Sequence, residues 1–100
     1  MRVRWSLLAL RRVSEIVDYI SHDHPEAGRK WAEGVFDVVD QLEGFPDQGR
    51  MVPEVGQPSI REVIYGEYHV IYKVQAQAIG VLTVRHGRRR FDPREVRGRR

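Results

Sequence analysis

Histidine and arginine side chains suited to acid–base and phosphate chemistry are concentrated in the second half of the chain. Histidine changes its charge near neutral pH, so His69 and His86 could transfer protons. Arg61 and Arg85 could stabilise the negative charge that develops on a reacting phosphate. Because metal-independent RNA cleavage needs a base, an acid and cationic donors, we predict that these four residues form a catalytic set only if the protein is a ribonuclease.

Other candidate functional residues are predicted to contact a partner, and most of them are basic. They are Glu54, Arg61, Lys73, Arg88, Arg89 and Arg90. Three consecutive arginines suit phosphates or an acidic protein partner. A simpler interpretation is also open, in which Arg61 only pairs with Glu62 or Glu54 at the surface.

The basic charge is a property of the C-terminus. Residues 85–100 contain eight arginines against Asp92 and Glu95, whereas residues 1–84 contain nine basic and twelve acidic residues. This asymmetry favours a C-terminal contact with an anionic partner. The alternative for the last six residues is a solvated tail that only aids solubility.

Several kinds of chemistry are not indicated by the sequence. The chain has no cysteine, which excludes disulfides and thiolate zinc sites, and the four histidines lack the spacing of metal ligands. Phosphate-cradling glycine motifs and nucleophile elbows are absent, so we predict no metal and no cofactor.

One hundred residues, 41% of them hydrophobic and 31% charged, suit one folded domain. With no apolar run near about eighteen residues, we expect a cytoplasmic protein and no membrane partner.

The first half of the chain predicts two amphipathic helices. Ser6 can cap the first, whose apolar residues recur every three or four positions between Leu7 and Ile20. Pro25 suits the first turn of the second helix, and Gly44 ends it. Since only a few residues connect the helices, we expect an antiparallel hairpin.

Four β-rich segments complete the predicted fold. They are residues 2–5, 60–65, 68–74 and 78–86. The order predicts an α+β fold, β-α-α-β-β-β, with the helical hairpin packed on one face of a mostly antiparallel four-stranded sheet.

A two-residue turn at Gly66-Glu67 fixes which side chains share a sheet face. Arg61 then pairs with Tyr72 on one face, and His69 and Lys73 lie on the other. The helices supply cover for only one face, so the other could contact a partner chain.

An ordered set of residues resembles the RelE/ParE superfamily of bacterial toxins. The set comprises Pro25, Ala27, Leu42, Phe45-Pro46, Gly49-Arg50, Val52-Pro53-Glu54, Ile60-Arg61-Glu62, Gly66, Tyr68, Tyr72 and His86-Gly87-Arg88-Arg89. The resemblance implies a single toxin domain at residues 1–90, followed by a basic C-terminal tail at residues 91–100. It also implies the toxin of a type II toxin–antitoxin pair, neutralised by a cognate antitoxin whose acidic, partly disordered tail wraps around it.

Within this superfamily, RelE-like members cleave mRNA in the ribosomal A site and ParE-like members inhibit DNA gyrase. RelE-like ribonucleases typically carry Tyr-Arg-x-x-Tyr where this chain has Tyr68-His69-Val70-Ile71-Tyr72, and histidine lacks the permanent charge and forked donors of arginine. The ending His86-Gly87-Arg88-Arg89-Arg90 is more similar to ParE-like members. The resemblance therefore predicts a growth-inhibiting toxin that binds DNA gyrase, with ribosome-dependent mRNA cleavage as the alternative. A small binding domain without toxicity is a third possibility.

Overall fold

The computed structural model, which describes residues 1–97 of the 100, contains three helices and five strands in that part of the chain. The elements are β1 (Arg2–Trp5), α1 (Leu7–Ser21), α2 (Pro25–Gln41), β2 (Arg50–Met51), β3 (Ile60–Tyr65), β4 (Tyr68–Val74), β5 (Ala78–His86) and α3 (Arg94–Arg97). The last three residues of the predicted basic tail, residues 98–100, lie outside the described part of the chain.

Ser6 fixes the start of α1 and also ties that helix to the sheet. Its hydroxyl oxygen accepts a 2.9 Å hydrogen bond from the backbone N–H of Ala9, which satisfies a donor that the first helical turn leaves unpaired. The same hydroxyl donates to the carbonyl oxygen of Leu82 in β5 at 2.9 Å. One side chain therefore caps the helix and fixes the position of its first turn relative to β5.

The sheet has five strands in the order β1-β5-β4-β3-β2. β1 runs parallel to β5, and the other neighbours are antiparallel. The predicted α+β class is confirmed, and the strand beyond the expected four is the two-residue β2. Gly66 adopts a φ of 59° in the turn between β3 and β4, a conformation that glycine adopts without steric cost.

The main core lies between the sheet and the helical pair α1–α2. Val13 of α1 and Val35 of α2 pack against Val70, Tyr72 and Val81 of the sheet. All five are buried. This face of the sheet, called the helix face below, holds the largest apolar cluster, which includes residues of β1, β3, β4 and β5 and stabilises their placement.

The opposite face of the sheet, called the second face below, is partly covered as well. Ile71 and Leu82 on this face pack with Val52 from the loop after β2, and Phe91 and Val96 from the C-terminal segment join them. The expectation that the helices cover only one face is correct, but a loop and the chain's own C-terminal segment cover part of the other. Little of this second apolar cluster is therefore left for a partner chain.

A bulge in β5 gives the second face an extra side chain. Ile71 is paired with Thr83 and the next residue of β4, Tyr72, with Val81, so Leu82 is an additional residue in β5. Such a bulge bends the strand and breaks the simple alternation of side chains. As a result Val81 and Val84 both join the main core.

Candidate functional site

A buried carboxylate organises the basic side chains of the second face. The side chain of Glu62 on β3 is fully buried, and Arg50 on β2 donates a 2.7 Å hydrogen bond to its Oε2. His69 on β4 donates from Nδ1 to the other carboxylate oxygen at 3.0 Å. A guanidinium nitrogen of Arg85 on β5 lies 3.8 Å from the same oxygen. One acid thus holds three basic groups from three different strands.

The charge of Glu62 is stabilised despite its burial. Removal from water alone raises the pKa of a carboxyl group, but the hydrogen bonds from His69 and Arg50 outweigh this effect and hold the pKa of Glu62 below its ordinary value. Glu62 therefore stays ionised. A buried carboxylate that is ionised and hydrogen-bonded keeps its neighbours in fixed orientations.

His69 is oriented by this contact, and its second ring nitrogen faces the end of β5. Since Nδ1 donates to Glu62, a neutral His69 carries its lone pair on Nε2. A Cβ atom at Gly87 would lie only 2.7 Å from that nitrogen. The glycine therefore leaves the space that the imidazole needs.

His86 joins the same area from the neighbouring strand. Its Nδ1 accepts a 3.0 Å hydrogen bond from the backbone N–H of Arg88, so its proton is on Nε2, which lies 3.1 Å from a carboxylate oxygen of Glu67. A shallow pocket is lined by Glu67, His69, His86, Gly87 and Arg88. The structure thus brings together the two histidines that the sequence singled out.

Arg61 lies apart from the histidines. It is paired with Tyr72 on the helix face, whereas His69 is paired with Arg85 on the second face. The guanidinium of Arg61 donates to the carbonyl oxygen of Gly49 at 2.8 Å. Of the four residues predicted for RNA cleavage, His69 and Arg85 are paired on the second face, His86 lines the same shallow pocket as His69, and Arg61 contacts the loop before β2.

Apart from Arg61, the predicted contact residues are distributed over three places. Glu54 is exposed in the loop between β2 and β3, and Lys73 lies on the second face, paired with Ile60 and Gly80. Arg88, Arg89 and Arg90 are exposed in the loop after β5. In residues 1–97, no carboxylate forms an ion pair with these three arginines or with Lys73.

Sequence reasoning missed the link between α1, β5 and the C-terminal segment. The carboxylate of Glu95 accepts a 2.6 Å hydrogen bond from the Thr83 hydroxyl and a 2.8 Å hydrogen bond from Arg12. Burial acts to raise the pKa of Glu95, but these two hydrogen bonds hold it below its ordinary value. Neither the spacing nor the composition of the tail indicates this contact.

The missed role of Glu62 did leave a signal, since an acid between Ile60 and Ile64 occupies an inward position of an apolar strand.

A groove of about 220 Å³ lies between α1, the last residues of β5 and the C-terminal segment. Tyr19 of α1, Tyr68 of β4 and Arg89 line it, together with the Arg12–Glu95 pair. β1 pairs with β5 only as far as Val81. Within the described residues, the side of β5 that faces away from β4 has no neighbouring strand from Thr83 onward.

Residues 3–91 match the family described as ParE toxin of type II toxin-antitoxin system, parDE. The chain belongs to the ParE toxin family. A relative from Sinorhizobium fredii (strain NBRC 101917 / NGR234), "Putative toxin Y4kP", is 33% identical in an alignment 93 residues long that covers 90% of this chain and 92% of that protein. The solved structure of the chromosomal ParDE TA system from P. aeruginosa has the same fold, with a TM-score of 0.71 at 21% identity, over 86% of this chain and 95% of that one.

The family assignment confirms the resemblance seen in the sequence, and this ParE-type toxin is half of a toxin–antitoxin system. No helix within residues 1–97 has the length and apolar character required to cross a membrane. The same residues contain no group of three or more His, Asp or Glu side chains placed to hold a metal ion.

Proposed function

We propose that this ParE-type toxin stops growth by binding DNA gyrase through the basic loop at residues 87–90, and that a cognate antitoxin neutralises it. The observation that carries the proposal is the exposure of Arg88, Arg89 and Arg90 in a loop whose backbone is held in place. Exposed cations without carboxylate partners in residues 1–97 are available to an anionic surface. Gyrase is a cytoplasmic enzyme, so the toxin would act in the cytoplasm.

Four hydrogen bonds fix this loop. The backbone N–H of Gly87 donates to the carbonyl of Glu67 at 2.8 Å, and the N–H of Arg89 donates to the carbonyl of His86 at 3.0 Å. Arg88 donates to the His86 ring, and the guanidinium of Arg85 donates to the carbonyl of Arg89. A loop that is ordered before binding loses less entropy on association. The three guanidinium groups are therefore presented from a preformed backbone.

The groove beside β5 suits the antitoxin. It combines apolar surface from Tyr19 and Tyr68 with the guanidinium of Arg89 and an unpaired strand edge. Tyr19 is 78% exposed. An acidic tail with apolar anchors would fill this groove and place its charge next to the basic loop. This occupancy would explain how the antitoxin blocks target binding.

The gyrase proposal is tested by a supercoiling assay with purified toxin. We expect inhibition by the natural chain and at least tenfold weaker inhibition by Arg88→Ala/Arg89→Ala, since two exposed charges are lost from the contact. Arg11→Ala/Lys30→Ala is the matched control, because it removes the same charge from exposed helical positions. Normal supercoiling at saturating toxin would reject the proposal.

Ribosome-dependent mRNA cleavage is the second candidate function, favoured by the proximity of His69 and His86 beside Arg88. Glu62 orients His69 as a proton acceptor, and His86 carries a proton on Nε2 that it could donate. Toe-printing of translated mRNA should then show cuts in the ribosomal A site that disappear in His69→Ala/His86→Ala. Intact mRNA in growth-arrested cells would exclude this function.

A further inference from the structure

A row of residues crosses four strands on the second face, and its charged members are basic. Arg4 of β1 is paired with Gly80 of β5, Gly80 with Lys73 of β4, and Lys73 with Ile60 of β3. Paired residues of neighbouring strands point to the same side of the sheet. Ile60 belongs to the second-face cluster, so Arg4 and Lys73 lie on that face as well.

Gly80 lies between the two basic residues and leaves the sheet surface there without a side chain. Neighbouring strands lie about 4.8 Å apart, so the Cα atoms of Arg4 and Lys73 are separated by roughly 10 Å, with Gly80 midway. A Cβ atom built on Gly80 would meet nothing within 4 Å. Glycine in a strand interior has no side chain to pack and often marks a place where a ligand approaches the backbone closely.

The positive charge of this row is not neutralised by the described part of the protein. In residues 1–97, neither Arg4 nor Lys73 has a carboxylate partner, in contrast to Arg12 and Arg29 on the helices, which are paired with glutamates. Arg2 adds a further charge two residues before Arg4, on the same side of β1.

The other charged groups of this face do not cancel the row. Glu62 is the one acidic residue among the second-face positions of the described strands, and it is already held by Arg50 and His69. Within the described strands, the row therefore carries positive charge without an acidic partner of its own.

We propose that Arg2, Arg4 and Lys73 form a binding surface for the phosphate backbone of duplex DNA, with Gly80 admitting the phosphates close to the sheet. Lysine and arginine contacts to phosphates release counterions, and this release drives sequence-independent binding. An acidic protein is a poorer fit, because protein interfaces depend on buried apolar or aromatic anchors, and the apolar member of the row, Ile60, is already buried. The choice of DNA over RNA rests on the proposed function, since gyrase acts on DNA.

The binding test uses fluorescence anisotropy of a labelled duplex of arbitrary sequence, titrated with the full chain at several salt concentrations from about 50 to 200 mM. The logarithm of the binding constant should fall linearly with the logarithm of salt concentration. Arg4→Ala/Lys73→Ala should reduce that slope by about 2, because each lost phosphate contact removes about one unit. Arg11→Ala/Lys30→Ala removes the same charge from the helices. Its slope should change by less than half as much as that of Arg4→Ala/Lys73→Ala.

Gly80→Glu is a second, independent variant. The open space above Gly80 accommodates the new side chain, and its carboxylate would occupy the phosphate position and pair with Arg4 or Lys73. We expect it to weaken DNA binding at least as much as the double alanine variant, with an unchanged circular dichroism spectrum. This variant decides the proposal if the double variant does not fold.

Several results would overturn the proposal. They are the absence of binding at low salt, an equal loss of slope in the helix control, tighter binding to single-stranded RNA, and tighter binding to a poly-glutamate peptide than to the duplex. The assay contains no gyrase, so it is independent of the proposed target. DNA binding by a chain that fails to inhibit gyrase would support the basic row and reject the proposed function.

Discussion

The imidazole of His69 and the carboxylate of Glu62 lie 3.0 Å apart on adjacent strands, with the carboxylate fully buried. Removal of the negative charge leaves Arg50, His69 and Arg85 close together without a counter-charge. We expect Glu62→Gln to lower the free energy of unfolding by about 3 kcal/mol, the effect typical of breaking a buried ion pair. Urea unfolding followed by circular dichroism measures this, and a change below about 0.5 kcal/mol would contradict it.

The same carboxylate makes stability depend on pH. The pKa of Glu62 is below its ordinary value of 4.5 in the folded protein. The ionised carboxylate is therefore more stable in the folded state than in the unfolded chain. Its contribution is complete above pH 4.5 and is lost as the pH falls through the lowered pKa. Glu62→Gln should therefore flatten the fall in stability between about pH 5 and pH 3. An unchanged pH profile would show that Glu62 does not cause it.

Glu95 is expected to hold the C-terminal segment against the sheet. Glu95→Ala removes the acceptor for both Thr83 and Arg12, and one charge-assisted hydrogen bond contributes about 1.5 kcal/mol. Since two such bonds are lost, opening of the segment should become at least tenfold more frequent, and tryptic cleavage after Arg90 should accelerate by at least the same factor. Mass spectrometry of the intact chain follows this cleavage.

The control for this experiment is Asp92→Asn. The hydrogen bonds of Asp92 side-chain oxygens within residues 1–97 go to Arg94, two positions along the same segment. It removes one acidic charge near the cleavage site without releasing the segment from α1 or β5. Equal acceleration in both variants would show that charge, and not the anchor, controls cleavage.

Tyr72 couples the sheet to the loop before β2. Its buried hydroxyl donates to the carbonyl of Pro46 at 2.8 Å and accepts from the N–H of Gly49 at 2.9 Å. Tyr72→Phe keeps the ring but leaves both backbone groups without this partner, which should lower stability by about 2 kcal/mol. Tyr19→Phe, at an exposed position, is the control. Thermal denaturation should separate the two variants.

The sequence predicted the fold and the faces of β3 and β4 because alternation and the Gly66 turn are local signals. The predicted pair of Arg61 with Tyr72 is present. Alternation failed within β5, where the bulge at Leu82 places both Val81 and Val84 in the main core. A bulge depends on packing against neighbouring strands, so the pattern of a single strand does not reveal it.

The candidate site was only partly predictable for a similar reason. His69, Arg85 and His86 meet because they lie on adjacent strands whose register follows from the turns. Glu95 contacts Thr83 and Arg12, and Arg12 lies 83 positions before Glu95 in the sequence. Such a contact is determined by tertiary packing, and residue spacing carries no record of it.

Gly87 and Gly80 provide a final test of how the basic loop is placed. A methyl group at Gly87 would lie 2.7 Å from Nε2 of His69, whereas one at Gly80 would meet nothing within 4 Å. Gly87→Ala should therefore displace the His69 ring or the loop carrying Arg88, and weaken gyrase inhibition together with stability. Gly80→Ala should be neutral or stabilise by about 0.5 to 1 kcal/mol, since alanine loses less conformational entropy on folding than glycine. Histidine ring NMR signals report the displacement, and identical spectra for Gly87→Ala and the natural chain would show that neither the His69 ring nor this loop had moved.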